Sequence, residues 1–131
     1  MLTEEIKEQI KDKTVTSVLL ERDMLIIDFA EISMSIYDTP SCCEDLYFTT
    51  DDNLKEMIGA KILGMDLLET ITTDGGSNDV HEVAFMHIRT DKGTFTIEAH
   101  NESNGFYCGI YPVVYITMNP RAWTPKKEVN Q

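Results

Sequence analysis

The chain has 131 residues, of which 42% are hydrophobic, and its 23 acidic and 11 basic residues give a formal net charge of −12. This length is typical of a single domain whose core needs no metal or disulfide. No run of eighteen apolar residues occurs, which argues against a membrane-spanning helix. The first five residues are acidic and polar, unlike the basic beginning of a secretory signal. We therefore expect a cytoplasmic protein.

The negative charge is concentrated in the N-terminal part of the chain. Residues 1–82 contain nineteen acidic and six basic side chains, whereas residues 83–131 contain four and five. Nucleic acids and anionic membranes bind proteins through Lys and Arg, so this distribution argues against both as direct partners. It favours a partner with a basic surface. A solvated surface that only keeps the protein in solution is the alternative.

The three cysteines indicate a reducing compartment. At least one of them has no disulfide partner within the chain. Cys42 and Cys43 are adjacent, and adjacent residues are too close for ordinary disulfide geometry. Together with the acidic start of the chain, this predicts reduced thiols.

The predicted elements begin with a short amphipathic helix over residues 3–13, with Thr3 as its N-cap. Residues 15–21 and 24–29 are rich in β-forming residues and predict a hairpin. Residues 32–36 alternate between apolar and polar side chains, which predicts a strand with one solvated face. Residues 46–49 favour another short strand.

Further along the chain, residues 51–59 predict a short helix that ends at Gly59, and residues 61–72 favour a strand. Residues 81–90 and 94–100 form the clearest hairpin. A two-residue loop would leave His87 on the outer face, whereas a three-residue loop with a bulge would place it beside Ile97. Both registers remain open at this stage. Residues 111–118 predict the last strand.

These elements predict an α+β fold. We expect a single domain over residues 1–120, mainly an antiparallel β-sheet of six or seven strands with two short helices. A flexible C-terminal tail over residues 121–131 follows.

Two clusters contain the most unusual combinations of side chains, and we expect them to lie near each other. Asn-Gly is a strong turn signal, and aromatic side chains beside such a turn can form a recognition surface. Packing of these aromatics under the turn is the alternative. The candidate binding residues are therefore Cys42, Cys43, Glu44 and Asp45 in the first cluster and Glu102, Ser103, Asn104, Gly105, Phe106 and Tyr107 in the second.

Neither cluster predicts catalysis or a metal centre. Glu44 and Asp45 next to the thiols disfavour the thiolate that a cysteine nucleophile needs. Adjacent cysteines also lack the spacing of two to four residues that is common in zinc sites. We assign no catalytic residue, metal or cofactor. A small-ligand or metal-binding pocket, completed by His87 or His100, is the alternative.

The order of the motifs resembles a family of small phage and bacterial proteins of unknown function. Their signatures are approximately Asp-Cys-Cys-Glu, Leu-Ile-Gly, Thr-x-x-Gly and Glu-Ser-Asn-Gly-Tyr-Tyr. The matching segments here are residues 42–44, 58–63, 89–93 and 102–107, and the resemblance extends over about residues 15–115. Ser41 and Asp38 depart from the pattern, since the family tends to have Asp and His there.

The resemblance implies a context rather than an activity. We expect a phage or prophage accessory protein that acts by binding rather than as an enzyme. With the charge distribution, its expected partner is a basic surface of a host protein, which it would inhibit as an acidic binder or nucleic-acid mimic.

Overall fold

The computed structural model describes residues 3–38, 44–74, 80–103, 110 and 112–119. The predicted tail over residues 121–131 lies outside this part of the chain. The elements, in chain order, are α1 (Glu4–Ile10), β1 (Ser17–Glu21), β2 (Met24–Asp28), β3 (Ile32–Tyr37), β4 (Glu44–Thr49), a 3-10 helix (Leu54–Met57), β5 (Ile62–Asp74), β6 (Val80–Thr90), β7 (Gly93–Ser103) and β8 (Val113–Met118).

The strands form two antiparallel sheets of four strands each. Sheet I has the order β1-β2-β3-β8, and sheet II has the order β4-β7-β6-β5. The prediction of a mainly antiparallel β domain is confirmed, but the expectation of one sheet of six or seven strands was wrong, and the second of the two predicted helices is a 3-10 helix. In the described residues there are eight strands in two sheets, one α-helix and one 3-10 helix. The strands divide into two sheets because β4 pairs with β7 and β8 pairs with β3. Both pairings join strands that are far apart in the sequence.

One hydrophobic core lies between the sheets. The alternation of side chains along each strand sends the apolar residues inward, as in Leu25 and Ile27 of β2. The inward-facing residues of β6 and β7 join the same cluster. Core residues with almost no exposure include Leu25, Ile27, Met34, Ile36, Ile62, Ile88 and Ile97.

Backbone hydrogen bonds link the segment before β1 and the β1–β2 turn to sheet II and the residues that precede β5. Val15 N donates to Ala60 O and Gly59 N donates to Val15 O, both at 2.8 Å. Gly59 has a φ of +90°, which other residues rarely adopt, so a glycine is needed at this junction. A further bond joins β4 to the β1–β2 turn, where Phe48 N donates to Arg22 O at 2.7 Å. This bond places Arg22 beside sheet II.

The β6–β7 hairpin turns through two residues, Asp91 and Lys92, with Thr90 opposite Gly93. Met86 therefore pairs with Ile97 on the core face, and His87 pairs with Thr96 on the outer face. Of the two registers that the sequence left open, the structure has the two-residue loop.

Strand β5 forms one edge of sheet II, and its pairing with β6 is irregular. The register shifts between Ile62 and Gly64 and again between Leu67 and Thr70. Several apolar side chains along this strand are exposed, namely Leu63, Leu67, Leu68 and Ile71. At Gly64, a Cβ would lie 2.1 Å from Arg89 Nη2, so the glycine makes room for this arginine.

The hairpin register predicts unequal effects of two truncations in neighbouring strands. Ile97→Ala should lower the free energy of unfolding by about 2–5 kcal/mol, because it leaves a cavity in the core. His87→Ala should cost less than about 1 kcal/mol, because its side chain is on the outer face. Denaturant unfolding of both variants checks this. A larger loss for His87→Ala than for Ile97→Ala would contradict the register.

Candidate functional site

The described residues of the two clusters lie side by side at one end of sheet II. In the β4–β7 ladder, Glu44 is opposite Ser103 and Asp45 is opposite Glu102. We call these four residues the motif end. The remaining candidate residues, Cys42, Cys43, Asn104, Gly105, Phe106 and Tyr107, lie outside the described residues.

The motif end has an inner and an outer face because side chains alternate along each strand. Glu44 and Ser103 belong to the inner face, together with the fully buried Asn101. Asn101 Nδ2 donates a hydrogen bond to Glu44 Oε2 at 2.9 Å. Asp45 and Glu102 belong to the outer face.

Three rings form a stack on the outer face, one from each of β4, β7 and β6. The Tyr47 and His100 rings are nearly parallel, 4° apart in plane, with their centroids 4.6 Å apart. The His81 and His100 centroids are 5.1 Å apart. His100 Nδ1 is hydrogen-bonded to His81 Nε2 at 2.9 Å, and His100 Nε2 to Thr49 Oγ1 at 2.8 Å. Both ring nitrogens of His100 thus have a partner, which fixes the orientation of its ring.

Tyr47 links this stack to the two outer carboxylates. Its hydroxyl donates a hydrogen bond to Glu102 Oε2. The Arg22 guanidinium, from the β1–β2 turn, lies over the Tyr47 ring at 4.7 Å from the centroid. Arg22 Nη2 also lies 2.6 Å from both carboxylate oxygens of Asp45.

The surroundings shift the pKa values of Tyr47 and His100 in opposite directions. Burial raises the pKa of Tyr47 to about 12, and the hydrogen bond to Glu102 and the charges of Glu102 and Asp45 also raise it. The positive charge of Arg22 acts in the opposite direction and lowers this pKa. Burial lowers the pKa of His100, as does the neighbouring His81, while Glu98 and Glu102 oppose this. Near neutral pH, Tyr47 is therefore a neutral hydrogen-bond donor and His100 an uncharged imidazole.

This arrangement is suited to binding a positively charged group. It combines an aromatic ring face with carboxylates, and both attract cations. Within the described ranges, no group of three or more His, Cys, Asp or Glu side chains is placed to hold a metal ion. Of the two histidines considered for a pocket, His100 lies beside the motif end. His87 is six residues from His81 along β6, about 20 Å away.

Sequence reasoning named His81 only as one of several histidines that could complete a site, and it missed Tyr47 and Arg22. Tyr47 could have been found, because it lies two residues after Asp45 and so shares its face of the strand. His81 requires the β6–β7 register, which the sequence left open. Arg22 requires the packing of sheet I against sheet II, for which there is no local signal.

The fold and the site together define a two-sheet β domain with an acidic and aromatic surface at one end. Residues 6–113 match a family described as a domain of unknown function, DUF7448, and the chain belongs to that family. Both clusters, residues 42–45 and 102–107, fall within the matched range. No curated protein and no solved structure matches the chain. None of the helices in the described residues is long and apolar enough to cross a membrane.

The lowered pKa of His100 predicts a pH dependence of stability. His100 is harder to protonate in the folded protein than in the unfolded chain, so its uncharged form favours the folded state above about pH 6.5. This stabilisation is lost as the pH falls through the pKa of His100 in the folded protein. The groups around this imidazole are Thr49 and Tyr47 on β4, Glu98 and Glu102 on β7, and His81 on β6.

Denaturant unfolding between about pH 8 and about pH 5 measures this effect. We expect the wild type to lose more stability on acidification than His100→Gln. His87→Gln, which changes a histidine elsewhere on the sheet, is the control and should behave as the wild type. Equal losses in the wild type and His100→Gln would contradict the prediction.

Proposed function

We propose that this protein acts by binding another protein, and that the motif end contacts a basic surface of that partner. The observation that carries the proposal is the β4–β7 register, which sets Asp45 directly opposite Glu102 on the outer face. Like charges at directly opposed positions of an antiparallel ladder are destabilising. Arg22 offsets part of that repulsion in the free protein, and a cationic group of a partner can take the same role, so binding is favoured at this position.

The overall charge supports a basic partner. The net charge of −12 speeds the association with a positively charged protein and repels nucleic acids. The excess of acidic side chains lies entirely in residues 1–82, which include Glu44 and Asp45. Attraction between exposed charges is screened by salt, so the affinity should fall as the ionic strength rises.

The biological setting is also part of the proposal. The resemblance to small phage and bacterial proteins supports a cytoplasmic accessory protein of phage or prophage origin. Its partner is then a host protein whose basic surface handles nucleic acid, and the acidic domain blocks that surface. The protein needs no catalytic activity for this role.

A small polar ligand is the second candidate, and the inner face of the motif end favours it. Glu82, Asn101 and Ser103 are all buried there, and Glu44 bonds to Asn101. Protein interiors seldom contain so many polar side chains in one place. Native mass spectrometry of gently purified protein distinguishes this candidate, because a bound ligand adds a small mass that is lost on denaturation.

Capture from a bacterial lysate tests the main proposal. The double variant Asp45→Asn/Glu102→Gln keeps hydrogen-bonding atoms but removes two charges, so it should bind the captured basic protein about tenfold more weakly. The control is Glu4→Gln/Glu5→Gln, which removes the same charge from exposed positions on α1. It should bind nearly as the wild type does.

Two results would contradict the proposal. One is equal loss of binding in both double variants, because the motif end would then matter only through net charge. The other is capture that does not weaken from low to high salt, since binding would then not depend on the carboxylates.

A further inference from the structure

We propose that the motif end recognises an arginine side chain of the basic partner, and that Arg22 occupies this arginine site in the free protein. The inference rests on the proposed function and specifies the chemical group that is recognised. This arginine site consists of the Asp45 carboxylate, which belongs to the motif end, and the ring of Tyr47, which lies next to it on β4.

The contacts of Arg22 are those of a bound arginine. Its guanidinium lies over the Tyr47 ring at 4.7 Å, and its Nη2 lies 2.6 Å from both oxygens of Asp45. Arginine suits such a site better than lysine, because its planar group stacks on an aromatic ring while its N–H groups bond to a carboxylate. The protein's own side chain thus shows which ligand chemistry the site accepts.

The site is held in place by groups other than Arg22. His100 stacks on Tyr47 with centroids 4.6 Å apart and thereby supports the ring. The Tyr47 hydroxyl is bonded to Glu102, and His100 is bonded to Thr49 and His81. Strands β4, β7 and β6 therefore position the ring before any ligand arrives, which reduces the entropic cost of binding.

Arg22 can be exchanged for a partner's arginine. It belongs to the two-residue turn between β1 and β2, and the side chains of Arg22 and Asp45 are 63% and 53% exposed. Exposed ion pairs contribute little to stability, because water and salt screen them and ordering the side chains costs entropy. Displacing Arg22 therefore costs the fold little.

Because Arg22 occupies the site, one substitution is expected to strengthen binding of the partner rather than weaken it. If Arg22 fills the site most of the time, a ligand must compete with it, and the apparent affinity is reduced accordingly. Arg22→Gln should therefore strengthen the binding of an arginine peptide by about fivefold or more. Asp45→Asn should weaken it by a smaller factor, because this variant also releases Arg22 from the site.

The experiment compares two peptides of equal length and charge, one with arginine and one with lysine at every basic position. Fluorescence anisotropy measures their affinity for the wild type, Arg22→Gln, Asp45→Asn and Lys55→Gln. Lys55→Gln is the matched control, because it removes one positive charge from an exposed position on the 3-10 helix. We expect the wild type to prefer the arginine peptide, and Arg22→Gln to gain more affinity for this peptide than Lys55→Gln does.

The outcomes separate this inference from the proposed function. Equal affinity for both peptides, with equal gains in Arg22→Gln and Lys55→Gln, would overturn the arginine site but leave a basic partner in place. Binding of neither peptide would overturn both. Addition of the arginine peptide to the wild type should also shift the Arg22 Nε–H NMR signal, and this readout needs no variant. An unchanged Arg22 signal at saturation would overturn the inference.

Discussion

The pairing of β4 with β7 is the constraint on which both the core and the site depend. In the described part of sheet II, β7 lies between β4 and β6 and is paired with β6 over its whole length. Because side chains alternate with a period of two, one register decides every face at once. The register that buries Phe48 and Ala99 also places Tyr47 against His100 on the outside. A slip of β4 by one residue would turn Asp45 and Tyr47 toward the core.

The two faces of the motif end satisfy their polar groups differently. On the inner face, a buried amide bonds to a carboxylate of the neighbouring strand, which avoids the cost of an unpaired polar group. On the outer face, the carboxylates of Asp45 and Glu102 receive donors from Arg22 and Tyr47, respectively. The first arrangement stabilises the sheet, whereas the second uses exposed groups that a partner can reach.

Local features of the fold were predictable from the sequence, and the arrangement of the sheets was not. Thr3 caps α1 as expected, accepting a hydrogen bond from Ile6 N. The β1–β2 hairpin and the strand at residues 32–37 follow from alternation and turn residues. The division into two sheets depends on β3–β8 and β4–β7, whose partners are far apart in sequence. The meeting of the two clusters was expected, but His81 depends on a hairpin register that the sequence left open, and Arg22 depends on packing between the sheets that no local pattern encodes.

The irregular edge strand β5 affects how the protein behaves at high concentration. A long exposed edge normally offers a continuous template on which another chain can add a strand. The pairing of β5 with β6 shifts register twice, and irregularities of this kind bend a strand and interrupt the regular row of backbone groups along its edge. Exposed Leu68 and Ile71 near the second shift are therefore not part of one flat apolar ribbon. Together with the mutual repulsion of chains that each carry a charge of −12, this irregularity disfavours the addition of strands from other copies at this edge.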